Sequence, residues 1–486
     1  MHRAFCLAPT LLPPRQIARL SALQPRFNRL YDALSTDVDF LASSLAPFAS
    51  ECEWNSTELS IFRRVAPYQD SKPRLLLPNS VFLEDHEGGE PSFVLTVGNV
   101  QVAREHPATP IRTTADPHFS PHVTRRPTPT PQLLPQAGEP YQLQLVHTFQ
   151  SAQQPCILPT PLNSVTRAIA TAARCVHPHT TPIVAILTKP APSLALRTAI
   201  DVRGVGRALK EEHGVGVLFV SMADLARASV DGERELWLDG QRVSVVYSRY
   251  DFSHPSGSYT AMSQLRPTLT SEWETIERLE RSRAVLSSTL GCRLAHRLHA
   301  LRQPNQLERF LPAEEAASIR QVMPEQWCLA NAEELEEASK LVRAEGDAFV
   351  AKNVLRPRTG SGPTQDRDAS GGKILSTPAE LQDLLGDAER RRRYVLYRKL
   401  RPRTHDARLL HAGEEHSLSQ CAISEVASFG AFVADAKGTV LINELAGFGA
   451  RTRPAKNTHG LSPLLGYGAL SCVATEDATT PYRTMF

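Results

Sequence analysis

Apolar residues near the start of the chain recur at the spacing of one helical face. Ile17, Leu20 and Leu23 are three residues apart, and this pattern predicts a helix over Gln16–Leu34. Further on, the run Ser92–Val97 is rich in residues that favour β-strands and predicts a strand. We therefore expect the first hundred residues to form a helix followed by strands.

From Asn163 onward, helical patterns alternate with short apolar runs. Such alternation is typical of a mainly parallel sheet with helices packed on it, and a continuous apolar run fits a strand buried on both faces. The predicted elements are helix Asn163–Cys175, strand Ile183–Leu187, helix Thr198–Glu212, strand Val217–Val220, a hairpin of Glu235–Leu238 and Val243–Tyr247 around Asp239-Gly240, and a helix from Ser271 to about Leu286.

After Cys328 the order of elements changes, and a polar, glycine-containing loop separates two predicted strands. A loop of this kind beside an antiparallel sheet is what a nucleotide-binding lid requires. The predicted elements are helix Ala332–Arg343, strand Ala348–Val350, helix Pro378–Arg391, strand Tyr394–Tyr397, and strands Ile423–Val433 and Thr439–Asn443 around Asp435–Gly438.

Composition limits the class of protein. The chain has 486 residues, of which 41% are hydrophobic and 22% charged, and this excludes disorder or a coiled coil as a description of the whole. The net charge of +3 does not indicate a nucleic-acid or membrane partner. Prolines (37) outnumber glycines (26), the reverse of average usage, and nine of them lie between Pro107 and Pro140, which predicts an irregular segment there.

The cysteines and the N-terminal charges bear on the cellular compartment. The eight cysteines are widely spaced and contain no C-x-x-C pair, as expected for free thiols in a reducing compartment, and we expect a cytoplasmic protein. Five arginines precede the first acidic residue, Asp32, so a mitochondrial location is the alternative. No apolar run approaches the roughly 18 residues of a membrane span.

Candidate chemistry begins at Lys352, the last residue of the segment Phe349–Lys352 with which a predicted strand ends. Phosphoryl transfer requires cations on the phosphate oxygens and backbone N–H groups from a glycine-rich loop. The loop that follows could cradle a polyphosphate or could be a disordered crossing. Its cations and glycines include Arg356, Arg358, Gly360, Gly362, Arg367, Gly371, Gly372 and Lys373.

The last third of the chain carries a family resemblance. Cys421–Glu425, Phe429-Gly430, Asn443 and Gly449–Arg453 resemble the closing segment of the eukaryotic glutathione synthetase family of ATP-grasp ligases. Further matches run colinearly through most of the chain. They are Leu11–Pro13, Gln24–Asn28, Leu238–Gln241, Val245–Arg249, Leu279–Ser282, and Leu307-Glu308 with Leu311-Pro312.

The resemblance implies an α/β protein with an ATP-grasp fold, an inserted parallel-sheet substrate domain and an antiparallel-sheet lid. It also implies a homodimer that uses Mg²⁺ and ATP to ligate γ-glutamylcysteine to glycine through an acyl phosphate. The expected domains are an N-terminal body (1–160, with the proline-rich insertion 107–140), a substrate domain (161–265), a helical connection (266–335), a lid (336–405, with loop 353–373) and a C-terminal body (406–486).

Residue roles follow from the same resemblance. Arg249 and Arg451 match arginines that hold substrate carboxylates and are the candidate catalytic residues, with Arg197 and Phe252 as further substrate contacts. The expected metal ligands are Asn99 and Asp368. The expected ATP contacts are Lys352, Arg367, Ser370, Gly371, Gly372, Tyr397, Lys399, Leu400, Glu425 and Arg453.

Several departures from the family pattern leave a second hypothesis open. Val97 stands where the family has a metal-binding carboxylate, and Ala295 where it has an ATP lysine. Phe252 stands where the family has a tyrosine, so the hydroxyl group is missing. The family also has a metal-binding glutamate in its glycine-rich loop. One alignment register places Thr359 at that position and the other places Asp368 there, and the spacing along the chain favours the second register. The alternative to an active ligase is therefore a pseudoenzyme that keeps the fold as a binding or structural subunit of an assembly.

Overall fold

The computed structural model describes most of the chain outside the proline-rich segment. None of the helices in this part is both long and apolar enough to cross a membrane. The described residues are 4–49, 53–85, 92–95, 140–152, 157–188, 192–248, 266–287, 289–297, 304–353, 374–411, 413–455 and 469–476.

The N-terminal elements begin with a long amphipathic helix, α1, that buries Leu20, Leu23 and Phe27. Pro14 occupies its first turn, where the missing N–H has no partner to lose. The helix predicted over Gln16–Leu34 is thus confirmed. The elements are β1 (Phe5–Cys6), β2 (Thr10–Leu12), α1 (Pro14–Thr36), α2 (Val38–Ala49), α3 (Glu53–Val65), β3 (Arg74–Leu76), β4 (Asn79–Asp85) and β5 (Ser92–Leu95).

The middle of the chain forms the predicted parallel sheet. The elements are α4 (Pro140–Ser151), α5 (Leu162–Val176), β6 (Ile183–Leu187), α6 (Pro192–His213), β7 (Gly216–Val220), α7 (Met222–Ala226), β8 (Ser229–Val230), β9 (Leu236–Leu238), β10 (Gln241–Val243), β11 (Val245–Ser248), α8 (Arg266–Arg281), β12 (Val285–Ser287), α9 (Leu290–Arg297) and α10 (Ala313–Arg320). The sheet order is β12-β11-β6-β7, with every neighbouring pair parallel.

The structure corrects the predicted hairpin strand Val243–Tyr247. The Asp239-Gly240 turn forms, with positive φ angles of 47° and 75°, but its second strand is β10, which ends at Val243. Ser244 is buried, and its Oγ lies 2.7 Å from His177 Nδ1. At this serine the chain leaves the small sheet β10-β9-β8 and enters the parallel sheet as β11.

Two predicted helices end earlier than expected. Helix α8 stops at Arg281, where Ser282 Oγ donates to the Leu279 carbonyl, so Leu286 lies in strand β12. Helix α12 (Pro378–Gly386) stops short of Arg391 because the Asp387 side chain accepts from the backbone N–H groups of two following residues. In both places a short polar side chain competes for the backbone and ends the helix.

The lid is a second, smaller sheet with helices on one face. Its strands are ordered β13-β16-β14-β15, and each neighbouring pair is antiparallel, as predicted for a lid. It also takes in 326–328, which precede the lid range 336–405 expected from the sequence. Its elements are β13 (Gln326–Cys328), α11 (Ala332–Glu345), β14 (Phe349–Asn353), β15 (Ile374–Leu375), α12 and β16 (Tyr394–Arg398).

The C-terminal strands build the largest sheet, in the order β17-β1-β20-β19-β18-β4-β5, with β3 also paired to β18. A further pairing of β17 with β18 closes five of these strands into a ring. Helix α1 packs on one face of β18 and β19, and α5 packs on the other. The remaining strands are β17 (His405–His411), β18 (Glu414–Ala434), β19 (Val440–Pro454), β20 (Ala469–Ser471) and β21 (Val473–Thr475).

Candidate active site

The lid presents two of the predicted nucleotide contacts on one face. Phe349, Ala351 and Leu396 pack toward α11 and α12 in a shared apolar cluster. Lys352 and Tyr397 alternate with these residues along β14 and β16, so their side chains leave the opposite face of the sheet. Both are buried, Lys352 at 6% exposure and Tyr397 at 1%.

A small apolar cluster connects the lid to the large sheet. Leu400, two residues after β16, packs with Leu83 of β4 and Ile423 of β18. Glu425 follows Ile423 by two residues and therefore projects from the same face of β18. The segment that carries the predicted ATP contacts Tyr397, Lys399 and Leu400 thus ends next to Glu425, another predicted ATP contact.

Glu425 lies between two arginines of strand β19. Arg453 Nε donates to Glu425 Oε1 over 3.1 Å, and Arg451 Nη2 lies 3.5 Å from Glu425 Oε2. Glu425 and Arg453 are buried, whereas the Arg451 side chain is 26% exposed. Three candidate residues therefore form one ionic group in which only Arg451 has a substantial exposed part.

Lys399, by contrast, forms hydrogen bonds within the lid. Its ammonium group donates to the carbonyl oxygens of Asp347 at 2.7 Å and Ser376 at 3.0 Å. These bonds join the end of β16 to the turn before β14 and to the segment before α12. The structure thus gives this predicted ATP contact a role in holding the lid together.

Ala295, at the position of the missing ATP lysine, faces the protein interior. It lies on α9 at 3% exposure within the main apolar core. The start of α9 is held by Glu280, whose carboxylate accepts the Leu290 N–H at 2.6 Å. The Leu279–Ser282 motif is therefore explained by packing and helix capping.

Other predicted site residues fall outside the described part of the chain, and their placement stays a prediction. Arg197 lies within helix α6. Among the described residues there is no group of three side chains that could bind a metal ion. The residues outside the described ranges are Val97, Asn99, Arg249, Phe252, Thr359, Arg367, Asp368, Ser370, Gly371 and Gly372.

Comparison with known proteins identifies the family. A sequence model of the eukaryotic glutathione synthase ATP-binding domain matches residues 160–474, more than half of the chain. The chain belongs to the eukaryotic glutathione synthase family. This match includes the lid and the Glu425–Arg451–Arg453 group, so the described site lies in the ATP-binding region of the family.

Individual glutathione synthetases match with modest identity. The Xenopus laevis enzyme is 31% identical over 246 residues, which cover 49% of this chain and 46% of that protein. The human enzyme is 29% identical over 253 residues, covering 50% and 48%. The chain thus spans about half the length of these relatives. The chloroplastic Arabidopsis thaliana enzyme is 24% identical over 89% of this chain and 71% of its own length.

A solved structure extends the likeness in fold to nearly the whole chain. The glutathione synthetase-like effector of Globodera pallida, in its apo form, superimposes with a TM-score of 0.61 and 14% sequence identity. The match covers 97% of this chain and 90% of the effector. The predicted α/β, ATP-grasp architecture with a parallel-sheet insertion and an antiparallel lid is confirmed.

Sequence reasoning missed the pairing of Arg453 with Glu425. The two positions were assigned to ATP separately, although their places on adjacent strands bring them into contact. The second strand predicted around Asp435–Gly438 ends at Asn443, whereas β19 continues to Pro454 and carries both Arg451 and Arg453. Regular pairing counted from that turn would place Gly449 opposite Glu425, and only the two register shifts between β18 and β19 bring Arg451 there.

Proposed function

We propose that this protein is an ATP-dependent ligase that joins the carboxyl group of γ-glutamylcysteine to the amino group of glycine. The γ-phosphoryl group of ATP passes to that carboxylate and leaves ADP. The glycine amine then attacks the acyl phosphate, and inorganic phosphate leaves. Family membership supports this reaction class, and the substrates follow those of the matched relatives.

The observation that carries the proposal is the exposed part of Arg451 beside the lid junction. A guanidinium group binds a carboxylate through two parallel hydrogen bonds, and this suits an amino-acid substrate. Arg451 lies directly opposite Glu425 on the neighbouring strand. Glu425 is two residues from Ile423, which packs against Leu400. An acceptor carboxylate held there would lie next to the segment proposed to line the nucleotide.

Nucleotide binding is proposed on the lid face that carries Lys352 and Tyr397. A lysine at the end of a strand can neutralise phosphate oxygens, and an aromatic ring can pack against a base. Mg²⁺, when bound, would neutralise phosphate charge. Its proposed ligands Asn99 and Asp368 lie outside the described residues.

The alternative is a family member that has lost catalysis and serves as a binding or structural subunit. The buried position of Ala295 favours it, since this residue lies in the apolar core and supplies no cation for a nucleotide. Loss of one cation and one carboxylate from a phosphoryl-transfer site would cost orders of magnitude in rate. Homodimerisation and a cytoplasmic location, or a mitochondrial one, stay predictions in either case.

Variants in a phosphate-release assay distinguish the two functions. With ATP, Mg²⁺, γ-glutamylcysteine and glycine, we expect turnover that Arg451→Ala and Lys352→Ala each reduce at least tenfold. The matched controls Arg203→Ala and Lys210→Ala change exposed residues of the same types on α6 and should leave turnover unchanged. Val97→Glu should raise turnover if the metal site is weakened. Phosphate release that is absent, or equal in all variants, favours the non-catalytic alternative.

A further inference from the structure

The two arginines that flank Glu425 are held unequally. The Arg453 hydrogen bond of 3.1 Å falls in the normal range for N–H···O, whereas the 3.5 Å between Arg451 and Glu425 lies beyond it. The Arg453 side chain is 3% exposed and that of Arg451 is 26% exposed. One guanidinium is therefore fixed in the interior, and the other is held less closely and is partly exposed.

The register of β18 and β19 explains this difference. Arg451 is the direct cross-strand partner of Glu425, while Arg453 lies opposite Ile423. Ile423 belongs to the apolar cluster with Leu83 and Leu400, so Arg453 enters the ionic group from its buried side. Charges attract more strongly where water is excluded, and a carboxylate as buried as Glu425 requires a counter-charge.

We propose that Arg453 is a positioning residue that keeps Arg451 available for substrate. By neutralising Glu425 from the interior, Arg453 prevents that carboxylate from drawing Arg451 into a closed ion pair. Arg451 can then turn its guanidinium toward the carboxylate of the acceptor amino acid. The inference rests on the proposed ligase function and replaces the direct ATP contact expected of Arg453 from the sequence.

A kinetic double-mutant cycle tests this role. Arg453→Met keeps an apolar stem and removes the charge, so we expect the KM for glycine to rise roughly tenfold. The KM for ATP should stay within about twofold. In a Glu425→Gln background, where no carboxylate competes for Arg451, the same change should alter the KM for glycine less than about twofold.

Other kinetic outcomes would overturn the proposal. A higher KM for ATP, persisting in the Glu425→Gln background, would mean that Arg453 contacts the nucleotide. A lower melting temperature with both KM values unchanged would mean that Arg453 is only structural. If Arg453→Met does not fold, Arg453→Gln removes the charge while keeping a hydrogen-bond donor, and the same cycle applies to it.

Chemical labelling provides a readout that does not depend on turnover. Phenylglyoxal modifies accessible guanidinium groups, and mass spectrometry of the peptides gives the rate at each arginine. Arg451 should react faster than Arg453 in the unmodified protein. In Arg453→Met its rate should fall several-fold, with no fall in the Glu425→Gln background. Exposed Arg203 on α6 is the internal reference and should not change.

The two readouts separate the inference from the function on which it rests. An inactive protein with the expected labelling pattern would contradict the ligase proposal and leave the positioning role of Arg453 intact. An active protein in which Arg451 labels equally with and without Arg453 would contradict the positioning role alone.

Discussion

The side-chain amide of Asn28 on α1 donates to the side-chain oxygen of Asn443 on β19 over 3.0 Å. The same amide donates to the Glu444 carbonyl, also at 3.0 Å, while Asn28 Oδ1 accepts from Gln24. Ser428 Oγ donates to Gln24 Oε1 at 2.6 Å and completes the network. Motif residues from both ends of the chain thus meet in one polar network that fixes α1 on the large sheet.

This network explains the glycine at position 430 and predicts the effect of replacing it. A Cβ atom at Gly430 would lie 2.0 Å from Asn28 Oδ1 and 2.6 Å from Gln24 Nε2. Both side chains are fully buried and hydrogen-bonded, so neither can move without losing partners. We expect Gly430→Ala to lower the free energy of unfolding by about 1–3 kcal/mol in urea titrations.

Gly386 provides the matched control for that substitution. It is exposed at the end of α12, and a Cβ added there would meet nothing within 4 Å. Gly386→Ala should therefore leave the unfolding midpoint unchanged or slightly higher. An equal loss of stability in both variants would contradict the steric explanation.

Lys72 gives stability a pH dependence. Its Nζ donates to the Glu280 carbonyl at 2.6 Å in a buried site. Burial lowers the pKa of Lys72 to about 8, a shift partly opposed by the charge of Glu280 and reinforced by Arg234. Between about 8 and the ordinary value of 10.5, the unfolded chain binds more protons than the folded one. Stability from this group should therefore rise with pH across that interval.

Lys72→Met removes this titration. The free energy of unfolding of the unmodified protein, relative to Lys72→Met, should increase between pH 8 and pH 10.5. The exposed residue Lys210, changed to Met, should show no such trend. A difference between unmodified protein and Lys72→Met that is constant across this pH interval would argue against a depressed Lys72 pKa.

A lysine introduced at position 295 should destabilise the protein without strengthening nucleotide binding. The new ammonium group would enter the apolar core around α9, at a cost of several kcal/mol. Ala317→Lys places the same charge on an exposed face of α10 and should be tolerated. Melting temperatures with and without ATP measure both effects, and an ATP-dependent stabilisation gained by Ala295→Lys would show that this position faces the nucleotide.

Hydrophobic periodicity predicted those helices and strands whose buried face is set by their own sequence. Helix α5 and strand β6 appear where expected because each has an apolar face or run that becomes buried in the fold. Boundaries set by a single polar contact could not be predicted. Ser244 lies at the end of β10 and contacts His177, which is distant in the chain, whereas Asp387 ends α12 through a local contact with the Arg390 N–H that competes with the helical pattern.

The candidate site, too, could be predicted only in part. The resemblance selected Glu425, Arg451 and Arg453 one at a time, and all three lie together on β18 and β19. Which arginine is buried depends on the contact of Leu400 with Ile423, more than 20 positions apart in the chain. No local pattern encodes that contact, so the unequal roles of the two arginines emerge only from the fold.

Formation of the tripeptide is the most direct test of the central claim. Purified protein is incubated with Mg²⁺, ATP, γ-glutamylcysteine and isotopically labelled glycine, and the product is identified by mass spectrometry. We predict labelled γ-glutamylcysteinylglycine in amounts equal to the phosphate released, and none when ATP or γ-glutamylcysteine is omitted. The absence of the tripeptide, together with no change in melting temperature on adding ATP, would contradict the account.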